Sequence, residues 1–275
     1  MVTNSGARAI AIALNPNGIL APLHRILRES LNNVALGLHA VDQYETDVLP
    51  NLPTSFFHFR IGDREEKLTD AQLEALKERY RMWMLTTAFG EFTKAVFAAL
   101  REAYLLCEVA TSCRGTRKSL DEVRADIESI RTKAQKLALP TLVDGVSARL
   151  RAPLALREHV LSINKVRNCL EHRHGVVTKL DINDQANSAL AVKWRRSKIF
   201  YEKDGREIEV TIGSIVEGPA TVMHKFEDAT KVFKLSERIR LTVDEFNEVM
   251  FTCYLLGQDI VSKLPALPAA PAAPP

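Results

Sequence analysis

The chain has 275 residues, enough for one large domain or two small ones around a sizeable core. Its 37 lysines and arginines against 34 acidic residues leave a net charge of +3, too mild to demand a nucleic-acid partner, although a local basic patch binds phosphates whatever the total. Cys107, Cys113, Cys169 and Cys253 form no CxxC pair and no zinc-finger array, so they read as reduced thiols.

No run of eighteen apolar residues occurs, so no membrane association is expected and the location is taken as cytoplasmic. The apolar stretch at 10–14 meets Asn15-Pro16 at once and is too short for a signal-peptide core.

The first predicted helix covers 20–48, opened after Asn15-Pro16-Asn17-Gly18, with Ile26, Leu27, Leu31, Val34, Leu38 and Val41 at helical spacing. Pro50 and Pro53 end it, and SFFHF (55–59) reads as an aromatic connector against a core. Thr69 with Gln72 is a capping box opening a helix to about 111, with a kink expected near Gly90. From Met82 to Val109 this helix is apolar on most sides, Trp83, Leu85, Phe89 and Phe92 included, and reads as a buried central element.

Ser119 with Glu122 is a second box, opening an amphipathic helix to about 139, and a short helix follows at 142–150. Pro153 stands where a first-turn proline would open the next helix, 154–174, and Gly175 is its expected left-handed cap. The period then changes to two. Strands are expected at 190–202 and 206–212, joined by an Asp204-Gly205 turn, with a second short hairpin at 230–240. Thr242 with Glu245 is a third box, opening an apolar helix at 243–264.

The expected architecture is mainly α, a helical bundle with a small antiparallel β-hairpin insert before its C-terminal helix. Residues 1–65 form a helical segment packing on the core, 66–264 the helical domain with its insert at about 186–241, and 265–275 a Pro/Ala tail too poor in core residues to order.

The charged end of the 154–174 helix, RNCLEHRHG from Arg167, concentrates the chemistry. Leu156, Val160, Ile163, Val166 and Leu170 make an apolar stripe, and Arg167 falls inside it. An arginine there is costly unless it is paired or opens onto a cleft or interface. Asn168 and His172 are four apart and stack on one face, while His174 is seven from Arg167 and shares its face. Read blandly, Arg167 and Glu171 are an i,i+4 ion pair, and His172, Arg173 and His174 complement the helix dipole.

Arg167-Asn168-x3-His172 at the end of an apolar-faced helix resembles the Arg-x4-6-His signature of the HEPN superfamily. Asn168 stands as the polar residue after the arginine, and the Val176-Val177 exit is similar to that of bacterial members with a β-extension. The resemblance implies a metal-independent endoribonuclease of a toxin–antitoxin or antiviral-defence system, needing no cofactor, with Arg167, Asn168 and His172 catalytic. It also implies a homodimer that composes the site at its interface, RNA as substrate, and an antitoxin or defence protein as a further partner. Some members are inactive RNA-binding or interaction modules.

The residue types suit the reaction. Cleaving RNA without a metal needs a base on the attacking 2′-oxygen, an acid on the leaving 5′-oxygen and a cation on the phosphate. Histidine moves protons near neutral pH, and arginine is a permanently charged fork for phosphate oxygens. Glu171 competes for Arg167, and His174 satisfies the six-residue spacing, so both are accessory candidates.

Lys193, Arg195, Arg196 and Lys198 flank Trp194 on one strand. They form either an RNA-holding surface or a positively protected edge strand with Trp194 inward beside Val192 and Phe200. Arg114, Arg117 and Lys118 read as a solvated turn, and Asp181 and Asp184 as turn formers rather than metal ligands. His24, His39, His58 and His224 are isolated in the sequence, and no phosphate-loop glycine pattern is present.

Overall fold

The computed structural model describes residues 15–43, 69–112, 118–211, 213–216 and 220–265. The predicted connector at 55–59 and the tail at 266–275 lie outside them, as do Arg114, Arg117, Cys113 and His58. The described chain is mostly helical, with one three-stranded antiparallel sheet.

Helix α1 (Asn17–Glu29) starts three residues before the expected position. Asn15 Oδ1 accepts the Asn17 N–H at 3.0 Å, supplying the acceptor that an uncapped helix start lacks. The single helix expected to 48 is broken, because a π-helical turn at Ser30–Val34 precedes α2 (Ala35–Asp42). The wider turn shifts the helical phase. Ile26 and Leu38 are buried while Val34 between them is only half-buried.

All three capping boxes form. Thr69 N–H donates to Gln72 Oε1 at 2.8 Å, and Gln72 N–H returns to Thr69 Oγ1 at 3.3 Å. Helix α3 (Asp70–Ser112) follows and runs unbroken through Gly90, where a kink was expected. Ser119 and Glu122 make the same exchange at 2.7 and 3.3 Å ahead of α4 (Leu120–Gln135). Lys118, just before it, pairs with Asp126 at 2.5 Å. Helix α4 ends four residues short of its expected end, and α5 (Leu139–Ser147) begins three residues early, with Pro140 in its first turn.

Helix α6 (Arg157–Arg173) starts after Pro153 rather than around it. Ahead of it, Leu154 N–H donates to Ser147 Oγ at 3.1 Å and Ala155 N–H to Asp259 Oδ2 at 2.9 Å. The far end is left-handed, as expected at Gly175 (φ 73°), but His174 (φ 51°) is left-handed too. The Gly175 N–H reaches back to the Cys169 carbonyl at 3.1 Å, one residue farther than the 6→1 bond of a Schellman cap.

Strands β1 (Ala189–Lys203) and β2 (Arg206–Glu209) are joined at Asp204 (φ 53°) and Gly205 (φ 72°), the two positive φ angles of a type I′ turn. The second hairpin at 230–240 is not formed. Strand β3 (Val222–Lys234) instead pairs with β1, from Ala189↔Lys234 to Tyr201↔Val222, and the sheet order is β2-β1-β3. The chain beyond the Ser236 turn runs beside Val176-Val177, with Ile239 N–H on the Gly175 carbonyl at 2.8 Å and Val177 N–H on that of Glu237 at 2.9 Å. Thr242 and Glu245 then exchange bonds at 2.8 and 3.2 Å to open α7 (Val243–Ser262).

The contacts divide into two compact units, 1–25 with 93–161 and 252–275, and 26–92 with 162–251. In the first, Ile19, Leu23, Leu100, Leu142, Val146, Cys253 and Ile260 are buried. Gly257 of α7 admits α1 closely: a Cβ there would lie 2.6 Å from Leu23 Cδ1. In the second, Phe89, Leu170, Leu190, Val192, Phe233, Ile239 and Phe246 are buried, with the Phe89 and Phe246 rings edge to face at 5.8 Å. Each large side chain so buried contributes about 1.5–3 kcal/mol.

Candidate functional site

The charged end of α6 is held by Asp181, which closes the 178–181 turn as expected and also forms an ion pair with Arg173. Asp181 is fully buried and accepts from Arg173 Nε at 2.7 Å, from Arg173 Nη2, and from the Thr178 N–H and hydroxyl, each at 2.9 Å. Burial alone would raise this carboxyl, but the bonds from Arg173 and Thr178 outweigh it and hold its pKa below the ordinary value. Arg173 therefore clamps the 178–181 turn onto the last helical residue. It is not available to a substrate. Cys169 lies beside this pair, and burial, with the Asp181 charge, pushes its thiol up to about 11.

One turn earlier the structure brings three of the candidates together. Arg167 Nη2 lies 2.5 Å from Glu171 Oε2, and Arg167 Nη1 donates to Asn168 Oδ1 at 3.1 Å. Their burial is partial, with 29% of the Arg167 side chain and 23% of that of Glu171 exposed. The Arg167 Nε is buried without an acceptor. Glu171 seats against α3 at Gly90, where a Cβ would come within 3.3 Å of Oε1. A helical residue without a side chain makes room for the carboxylate there.

The two histidines stand differently. His172 is 60% exposed, its Nε2 4.0 Å from Glu171 Oε2. Asn168, four residues before His172 on the same helix, gives its side-chain oxygen to Arg167. His174 was assigned the Arg167 face by extending the helix to 174. The helix stops at Arg173 and His174 turns left-handed, so that extension does not apply. His174 is exposed. The apolar stripe around Arg167 is as expected, with Val160, Ile163, Val166 and Leu170 buried.

The basic strand is largely neutralised within the sheet. Arg195 pairs with Asp228 at 2.7 Å and donates to the Phe226 carbonyl at 2.9 Å. Arg196 pairs with Glu209 and lies 3.6 Å from Glu227, and Lys198 pairs with Glu207 at 3.0 Å. Lys193 is exposed. β1 lies between β2 and β3 only at Phe200–Lys203; over Lys193–Lys198 it pairs with β3 alone, so the basic stretch is an edge, as expected. Trp194 does pack inward with Val192 and Phe200, its indole N–H donating to Glu248 Oε2 at 2.7 Å.

One other expectation changes: Trp83, read as part of a buried element, is 65% exposed. His224 and His24 make structural contacts, His224 Nε2 lying 2.8 Å from Ser197 Oγ and His24 stacking on Tyr254 at 5.2 Å. Spacing gives no sign of the Arg173–Asp181 clamp, whose partners are eight residues apart across the helix end.

Among the described residues no helix is long and apolar enough to cross a membrane, and no three His, Cys, Asp or Glu side chains group to hold a metal ion. Comparison of the chain with models of known families, with curated proteins and with solved structures finds no match.

Proposed function

We propose that the chain is a HEPN-like, metal-independent endoribonuclease whose site is completed by a second copy of the chain, with Arg167, Asn168 and His172 as its working residues. The observation that carries this reading is the exposed His172, 4.0 Å from the Glu171 carboxylate that pairs with a half-buried Arg167. Asn168 and Glu171 hold the guanidinium, a permanently charged fork whose donors suit phosphate oxygens.

In the reaction a histidine takes the 2′-hydroxyl proton as the 2′-oxygen attacks phosphorus. The P–O5′ bond breaks, and a second proton donor protonates the leaving 5′-oxygen. The products are a 2′,3′-cyclic phosphate and a 5′-hydroxyl. Arginine offsets the charge gathering on the phosphoryl oxygens. One helix end carries a single exposed histidine of the motif proper, so base and acid are both supplied when a twofold axis brings two copies of His172 together. A cytoplasmic role in a toxin–antitoxin or defence system, with a protein partner, follows from the same resemblance and rests on it alone.

The Arg167–Glu171 pair favours a second reading, in which the helix end is structural and the chain is an inactive RNA-binding or interaction module. Labelled single-stranded RNA and tRNA incubated with the purified chain in excess EDTA separate the two. Cleavage that falls by about 10²-fold or more in His172→Ala is the expected result. Intact RNA with both well-folded proteins, or a monomer by light scattering, would overturn the nuclease reading.

A further inference from the structure

We propose that Arg79, Tyr80 and Trp83 on α3 form a stacking platform for the bases of single-stranded RNA, continuing the Arg167–His172 site. This inference rests on the nuclease reading. Trp83 is 65% and Tyr80 54% exposed, a large bare aromatic area for a pair of neighbours three residues apart on one helix. Arg79 is exposed four residues before Trp83, on the same side.

The placement ties this face to the site. Trp83 and Gly90 are seven residues apart, so they point within ~20° of each other and lie about 10 Å apart along the axis. Gly90 is where the Glu171 carboxylate seats, and Met82, next to Trp83, fills the space beside Gly175, its Cε standing where a Cβ would be. Trp83 is thus level with the end of α6, where His172 and His174 are exposed.

Cations collect at the same end. Arg238, which bridges Val176, is exposed there, and neither it nor Arg79 has an acidic partner among the described residues. The nearby carboxylates are occupied, Glu78 by Arg81 (3.7 Å) and Arg240 (3.3 Å), and Glu171 by Arg167 (2.5 Å). Flat rings with unmatched guanidinium groups suit unpaired bases and their phosphates. A duplex hides its base faces, and an apolar protein partner has no use for the two arginines.

The test uses the full chain and a short single-stranded RNA carrying 2′-O-methyl groups, which lacks the attacking hydroxyl and is not cleaved. Tryptophan emission reports the contact in the wild type, because the only other tryptophan, Trp194, is 4% exposed and hydrogen-bonded, and anisotropy of a fluorescein on the RNA reads the affinity of every variant. Expected are quenching of the wild type on binding, roughly tenfold or weaker affinity in Trp83→Leu, and near-normal affinity in Trp83→Phe. Duplex RNA of equal length should compete poorly. Unchanged affinity in Trp83→Leu, or lost self-association with RNA affinity intact, would overturn the platform, the latter marking a protein contact. His172→Ala in the same titration keeps the two proposals apart. Trp83-dependent binding without any cleavage by the wild type sinks the nuclease alone, and cleavage with Trp83-independent binding sinks the platform alone.

Discussion

Replacing Asp181 by alanine should loosen the end of α6 that presents His172 and His174. The carboxylate is fully buried and is the counter-charge of Arg173, whose side chain is 19% exposed. Its removal also strips the Thr178 N–H and hydroxyl of their acceptor. Breaking a buried pair from one side costs about 3–5 kcal/mol, because the remaining charge stays desolvated. At roughly 2–4 °C per kcal/mol for a chain near this size, the unfolding midpoint should fall by roughly 6–20 °C.

Thermal unfolding followed by circular dichroism, with the double variant Arg173→Met/Asp181→Leu alongside, measures it. The double variant should recover most of the loss, since no unpaired charge remains. The Asp181 pKa lies below its unfolded value, so its contribution is fully present above about pH 4 and is lost as pH falls through the folded pKa. The gap between wild type and double variant should shrink in acid accordingly. A loss below ~1 kcal/mol in Asp181→Ala, or a double variant no better than the single one, would refute this account of the clamp.

Gly175→Ala should cost about 1–2 kcal/mol for the left-handed backbone (φ 73°) and more for displacing Met82; adding Met82→Ala should restore only the packing part in urea titrations. Trp194→Phe removes the donor to Glu248, whose carboxyl burial has already raised against the opposing Trp194 bond. It should cost about 1.5–3 kcal/mol near neutral pH and less in acid, where Glu248 is protonated, and equal losses at both pH values would contradict this. Burial pushes the Cys107 and Cys169 thiols up to about 11 and raises the fully buried Cys253 well above the ordinary thiol value, so peptide mapping after thiol labelling of the native chain should find none of the three modified, and all three modified in guanidinium. Glu171→Gln should tighten RNA binding by freeing Arg167, at a stability cost below ~1 kcal/mol, as titration and melting together would show.

What the sequence determined by itself is the local chemistry. Each capping box and the Asp204-Gly205 turn lie within four residues of the groups they satisfy, the left-handed glycine at 175 within six, and all form. The apolar stripe of α6 was legible for the same reason, since helical periodicity alone places it. Tertiary structure decided everything whose partner lies elsewhere in the chain. β3 carries His224, Asp228 and Thr230 on one side and Lys225, Glu227 and Lys231 on the other, so no apolar alternation marks it as a strand; pairing along β1 makes it one. Asp181 is the turn residue its sequence suggests, but nothing in its spacing records the guanidinium that closes over it. Trp83 looked like core because hydrophobicity states what a side chain prefers, while only the packing of neighbouring elements states whether anything covers it. Arg167 holds both lessons: the sequence put it on the apolar face of α6, and only the fold seated its Glu171 partner in the space left by Gly90.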